Sequence, residues 1–174
     1  MKNFCITFFI IAIIVLSVVG VNQKNSEPQK EYLRIHIRAN SNDDIDQSVK
    51  YLVKNAVIEY LTPKIALCDT KKKAETLLYN NLDGITVVAN AVLENNGFTY
   101  GANASVRREV FPTRVYGNLT LEGGEYDALI LELGSGMGDN WWCVVYPPLC
   151  FTGEGQGYEY KSKIKEIIDN FFNN

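Results

Sequence analysis

From residue 32 onward, apolar residues recur along the chain at two spacings. In EYLRIHIRANS, Leu33, Ile35 and Ile37 fall on one side and Arg34, His36 and Arg38 on the other, the period of a half-buried strand. The spacing then lengthens. Ile45, Val49, Leu52, Val53, Ala56, Val57, Tyr60 and Leu61 follow a helical repeat that Ser41 and Asp44 introduce in a capping-box pattern and Pro63 ends. Two further helices are predicted, over about 70–82 and about 85–96, with Gly97 stopping the second. The period of two returns at Tyr100, Ala102, Ala104 and Val106, which alternate with Gly101, Asn103, Ser105 and Arg107. Residues 115–121 and 127–133 flank EGGE as a hairpin, and 141–146 form another strand, closed by Pro147. Last, KSKIKEIIDNFF sets Ile164, Ile167, Ile168, Phe171 and Phe172 on one helical face that would dock on the domain. A strand, three helices, four strands and a terminal helix predict a single α+β domain, a mostly antiparallel sheet covered by helices.

The first residues belong to a different class. Met1 and Lys2 precede an apolar run over 4–21, and the polar NQKNSEPQK follows. This is the pattern of an export signal. Val18 and Gly20 are small enough for the −3 and −1 positions of a cleavage site, whereas the length of the run approaches that of a spanning helix, so a cleaved signal peptide and a signal anchor both stand. Either one puts the rest of the chain outside the cytoplasm. The expected organisation is signal or anchor over 1–21, polar spacer over 22–31, α+β domain over 32–152, and a C-terminal extension with an amphipathic helix over 153–174.

Composition narrows the partners. The 174 residues carry a formal net charge of −3, and Lys2 is the only charged residue of the leader, so the exported part stands at −4. With no basic run longer than Lys71, Lys72 and Lys73, nucleic acid is not expected as a partner, nor is a membrane surface recruited through charge.

Four cysteines are present; Cys5 lies in the leader, leaving Cys68, Cys143 and Cys150. Cys143 and Cys150 are the plausible disulfide pair, with two prolines between them to turn the chain, against the alternative of two reduced, buried thiols. A single histidine and the absence of any CxxC pair leave no zinc site, and no other metal or cofactor is expected. The acidic residues Asp43, Asp44 and Asp46 are accounted for by the start of a helix. Gly134, Gly136 and Gly138 miss the dinucleotide-binding spacing and lead into NWW, so a turn between strands is the better account. His36 is the one residue available for histidine-dependent catalysis, and Cys143 would be its nucleophile if the two met. Binding has stronger material: Trp141, Trp142, Tyr116, Tyr146, Phe111 and Arg114 are of the types enriched in interaction hot spots. Alternation allows only one of Trp141 and Trp142 to point inward.

Several separate motifs, in order, resemble one family. They are LRIHIRANSNDDIDQSVKYLVKNAV, VFPTRVYG and EGGEYDALILELGSGMGDNWWCVVYPPLCF, which resemble stage II sporulation protein R of endospore-forming bacteria from about residue 33 to 151. The resemblance implies a signal made in the forespore and exported into the space between the two membranes that separate it from the mother cell. There it would activate a membrane-embedded aspartic protease of the mother cell, which removes the pro-sequence from the sigma E precursor. It implies no enzyme activity and no small-molecule substrate. His36, Arg38, Asn40, Arg114, Tyr116, Trp141 and Trp142 are the candidate partner-contact residues, by their place in the matching motifs. An exported cell-envelope hydrolase using Cys143 and His36, and a structural envelope protein, remain as alternatives.

Overall fold

The structure is a computed structural model that describes residues 31–152 and 158–173. The expected signal or anchor segment lies outside the described residues, as does nearly all of the spacer. Among the described residues, no helix is long and apolar enough to cross a membrane.

Strand β1 (Leu33–Arg38) opens the domain and is followed by α1 (Asp44–Ile65), α2 (Lys71–Asn80) and α3 (Leu82–Asn95). Then come β2 (Ala102–Phe111), the short strands β3 (Arg114–Tyr116) and β4 (Leu119–Leu121), β5 (Gly124–Leu133) and β6 (Asn140–Tyr146). A 3-10 turn over Leu149–Phe151 and helix α4 (Tyr158–Phe172) complete it. The main sheet has four strands in the order β2-β5-β1-β6. Its two outer pairings, β2 with β5 and β1 with β6, are antiparallel, but the central pairing of β1 with β5 is parallel, so the sheet is mixed.

One face of the sheet carries the main core. Leu33, Ile35 and Ile37 join Leu129, Leu131 and Leu133 of β5 and Cys143 and Val145 of β6 against Val49, Val53, Val57 and Leu61 of α1. Ala74 and Leu78 of α2 and Ile85, Ala89 and Leu93 of α3 close the same core, at the helical spacing their sequence prescribes. Ile164 and Ile167 of α4 are buried in it too, so the terminal helix docks as its apolar face predicts.

Four sequence expectations change. Helix α1 starts at Asp44 with Asp43 as its N-cap and no side-chain cap, because the Ser41 hydroxyl accepts from Asp43 N instead of closing a capping box. The same helix runs past Pro63 to Ile65: only the last turn loses a bond, and buried Leu61 and Ile65 hold it on the core. The segment 115–121 is not one strand but the β3–β4 ribbon, since Gly117 (φ 60°) and Asn118 form a two-residue turn with glycine first, as type II′ turns require. EGGE is consequently not a hairpin turn; β5 begins at Gly124 and pairs with β2 and β1. Helices α1, α2 and α3 cover one face only, and the β3–β4 ribbon packs on the other.

Candidate functional site

Because β1 is central, its second set of side chains is also enclosed, and the strand is buried on both faces rather than half-buried. Register sets the neighbours on this outer face. Arg34 lies beside Ala128 and Val144, His36 beside Ile130 and Trp142, and Arg38 beside Glu132 and Asn140.

His36 is 4% exposed. Its Nδ1 meets Glu109 Oε1 of β2, and its Nε2 lies 2.7 Å from Asn140 Oδ1 of β6, so both ring nitrogens face oxygen acceptors. Trp142 stacks on the ring at 5.3 Å between centroids, and the Arg114 guanidinium lies 4.3 Å from the Trp142 centroid. The Glu109 carboxylate also takes Arg38 Nη2 at 2.9 Å, while Arg38 Nη1 reaches Glu132 at 2.9 Å. Arg107 bridges the same two acids at 3.3 and 3.1 Å. Burial alone would push the Glu109 carboxyl up, but the His36 hydrogen bond and the charge of Arg38 outweigh it and hold the group below its ordinary value.

Toward the ribbon the same face becomes apolar. Tyr32, Phe111, Leu121, Tyr126, Ala128, Ile130 and Val144 form a second, smaller core, and Leu119, Tyr116 and Trp142 pack on its rim. Arg34 is fully buried there and donates from Nη2 to Tyr116 Oη at 2.8 Å.

Five of the seven candidate contact residues therefore meet on one surface: His36, Arg38, Arg114, Tyr116 and Trp142. Two do not. Trp141 lies beside Ile37 on the helix-covered face, with Lys54 Nζ 5.6 Å from its ring, as the alternation with Trp142 demands. Asn40 is a loop clamp. Its Nδ2 donates to Asp46, its Oδ1 accepts from Ser135 N at 2.9 Å, and its backbone oxygen accepts from the Ser135 hydroxyl at 2.6 Å. Burial would raise the Asp46 carboxyl, but the Tyr100, Ser41 and Asn40 hydrogen bonds hold it below its ordinary value. The clamp explains the glycine series: at Gly134 (φ 56°) a Cβ would come 2.3 Å from Asn40 Oδ1, and at Gly138 it would come 2.1 Å from Ser41 O. These glycines admit a close loop approach, and no phosphate is needed to account for them.

Sequence reasoning missed Arg34, Glu109, Glu132 and Asn140. Asn140 heads the NWWC motif and Arg34 sits in LRIHIR, so both carry a local signal in the sequence; Glu109 and Glu132 join only through strand pairing.

The hydrolase pair does not form. Cys143 is in a disulfide with Cys150, with Cα atoms 6.1 Å apart, and it faces the helices beside Ile35 while His36 faces away from them. Cys68 is the remaining described thiol; it is buried, and burial pushes its thiol up, against thiolate chemistry. A cavity of about 600 Å³ lined by Cys68, Tyr146, Glu166 and Phe171 among others includes none of the candidate contact residues. Among the described residues, no cluster of histidine, cysteine and acidic groups would hold a metal ion.

Comparison with known proteins agrees with the motifs. The chain is 29% identical over 171 residues to stage II sporulation protein R of Bacillus subtilis (strain 168), covering 93% of this chain and 76% of that protein. No solved structure matches. The sequence profile described as Stage II sporulation protein R matches residues 29–156, which takes in every described strand and the three helices packed on the sheet: the chain belongs to the stage II sporulation protein R family.

Proposed function

We propose that this chain is an exported signal of endospore formation, sent from the forespore and read by a membrane-embedded aspartic protease of the mother cell that trims the sigma E precursor. The observation that carries the reading is the family match over residues 29–156. The apolar run at 4–21 supports export, as a cleaved signal or as an anchor. An activator needs no catalytic set of its own; it needs a surface that binds the active state of its receptor better than the inactive one. The outer sheet face offers such a surface: Trp142 and Arg114 are of hot-spot type, and His36 and Arg38 lie beside them in a fixed polar network.

Expression with its leader in a non-sporulating bacterial host, together with the protease and the sigma precursor, tests the proposal by immunoblot of precursor length. The shortened factor should appear only when all three are present and the leader is intact. An unchanged precursor, with folded exported protein and a protease shown competent by another route, would sink the reading.

A further inference from the structure

Arg34 has no counter-charge. It is 0% exposed, and among the described residues no ion pair includes it. One of its nitrogens is used by Tyr116, and the Tyr126 hydroxyl lies within its electrostatic reach, yet among the described residues Nε and Nη1 have no partner at hydrogen-bond geometry. Those two nitrogens carry three hydrogens between them. Around the guanidinium stand three rings, Phe111 at 4.2 Å, Tyr126 at 4.8 Å and Tyr116 at 5.9 Å to the centroids. Their faces offset part of the lost hydration, yet a cation removed from water without a carboxylate is a costly arrangement. The carboxylates of the same sheet face do not relieve it, because Glu109 and Glu132 are paired with Arg38 and Arg107.

The cover over Arg34 is slight. Among the described residues, strands β3 and β4 pair only with each other, over three residues each, and a two-stranded ribbon has little stability by itself. It rests on the sheet through Tyr116 on Arg34, Arg114 on Trp142, and Leu119 and Leu121 in the small core. Lifting it breaks no strand pairing of the main sheet.

We propose that Arg34 anchors a carboxylate supplied by a partner protein, admitted when the β3–β4 ribbon lifts. This deepens the signalling proposal and rests on it for the identity of the partner. One cation walled by aromatic rings matches a flat, singly charged group, and a charge-assisted bond formed where water is excluded is stronger than one on an open surface. The same movement takes Arg114 off the Trp142 ring, which itself stacks on His36, so docking on Trp142 and ion pairing occur together. The free protein holds the unpaired charge, and the partner relieves it.

The test begins with the exported full chain, its arginines labelled with ¹⁵N, titrated with sodium formate. The Arg34 Nε–Hε signal should shift saturably in the millimolar range, while sodium chloride of equal ionic strength should give only a small linear drift. No saturable shift, or equal saturation by chloride, overturns the carboxylate site. Two peptides separate the sources: one with blocked ends and an internal glutamate, one whose sole carboxylate is its C-terminus. A shift with either supports the site and names the source, and a shift with neither overturns it. Arg34→Met then keeps the cage filled without a charge to bury. It should unfold at an equal or higher urea concentration than the unmutated chain, lose the formate response, and cut sigma-precursor processing at least tenfold. Processing at the unmutated level, or unfolding at lower urea, would overturn the proposal; the latter would mean that the guanidinium is already satisfied within the fold. The formate titration needs neither the variant nor the protease. If the unmutated chain fails to trigger processing, the signalling reading falls while the anion site is still decided.

Discussion

On the helix side of the sheet, Ile35 and Ile37 of β1 sit among leucines, valines and alanines; on the other side, the same strand buries Arg34 and His36 to nearly the same depth. The first face is held mainly by apolar area, a contribution that is tolerant of neighbours and indifferent to pH. The second is held by pairings that each need a particular atom, such as Asn140 Oδ1 or Glu109 Oε1. A polar face of that kind adds little to stability over an apolar one of equal volume, so its presence points to a task other than holding the fold.

The contrast can be broken most forcefully from the apolar side. Ile37→Ala should lower unfolding free energy by about 3 kcal/mol in a urea titration, the cost of a cavity in a fully buried site. A loss under 1 kcal/mol, roughly, would mean that the helix face is not the main source of stability.

The tryptophan pair sharpens the contrast within two adjacent residues. Trp141→Ala should cost about 2 kcal/mol, less than a fully buried tryptophan because the ring is only half-buried, and the variant that remains folded should still trigger processing. Trp142→Ala should remain exported and folded yet lose processing by tenfold or more. Two variants that merely unfold would remove the outer face as the contact surface.

The smallest effect concerns pH. Glu109 is held below its ordinary value when folded, so its contribution is present above the ordinary carboxylate range and is lost as pH falls through its folded value. The urea midpoint of the unmutated chain should therefore fall more between about pH 5 and about pH 3 than that of Glu109→Gln. Equal slopes would show that the His36–Glu109–Arg38 network adds nothing to stability.

The two faces were also unequally legible. Leu33, Ile35 and Ile37, the α1 heptad-like repeat and the α4 stripe announce their burial because apolar periodicity is local. The parallel pairing of β1 with β5 is invisible locally, since Leu33 and Asp127 become neighbours only after three helices, β2 and the β3–β4 ribbon have intervened. Arg34 misleads for the same reason. On an alternating strand an arginine reads as the solvent side, and nothing near it in sequence tells that Phe111, Tyr116 and Tyr126 will enclose it. The β3–β4 ribbon had a signal in Gly117-Asn118, a two-residue turn between short apolar runs, that reading 115–121 as one strand passed over.

The bridged turn after β6 bears on how copies of this chain treat one another. β6 is an outermost strand of the sheet, and such a strand offers unpaired backbone groups to any other extended chain. Here the Pro147-Pro148 step and the Cys143–Cys150 bond fold the following residues back along it, and Val144 N donates to Cys150 Sγ at 3.1 Å. The sulfur thus takes up a backbone donor that a neighbouring strand would otherwise use, so at Val144 the bridge blunts this edge as well as fastening the turn.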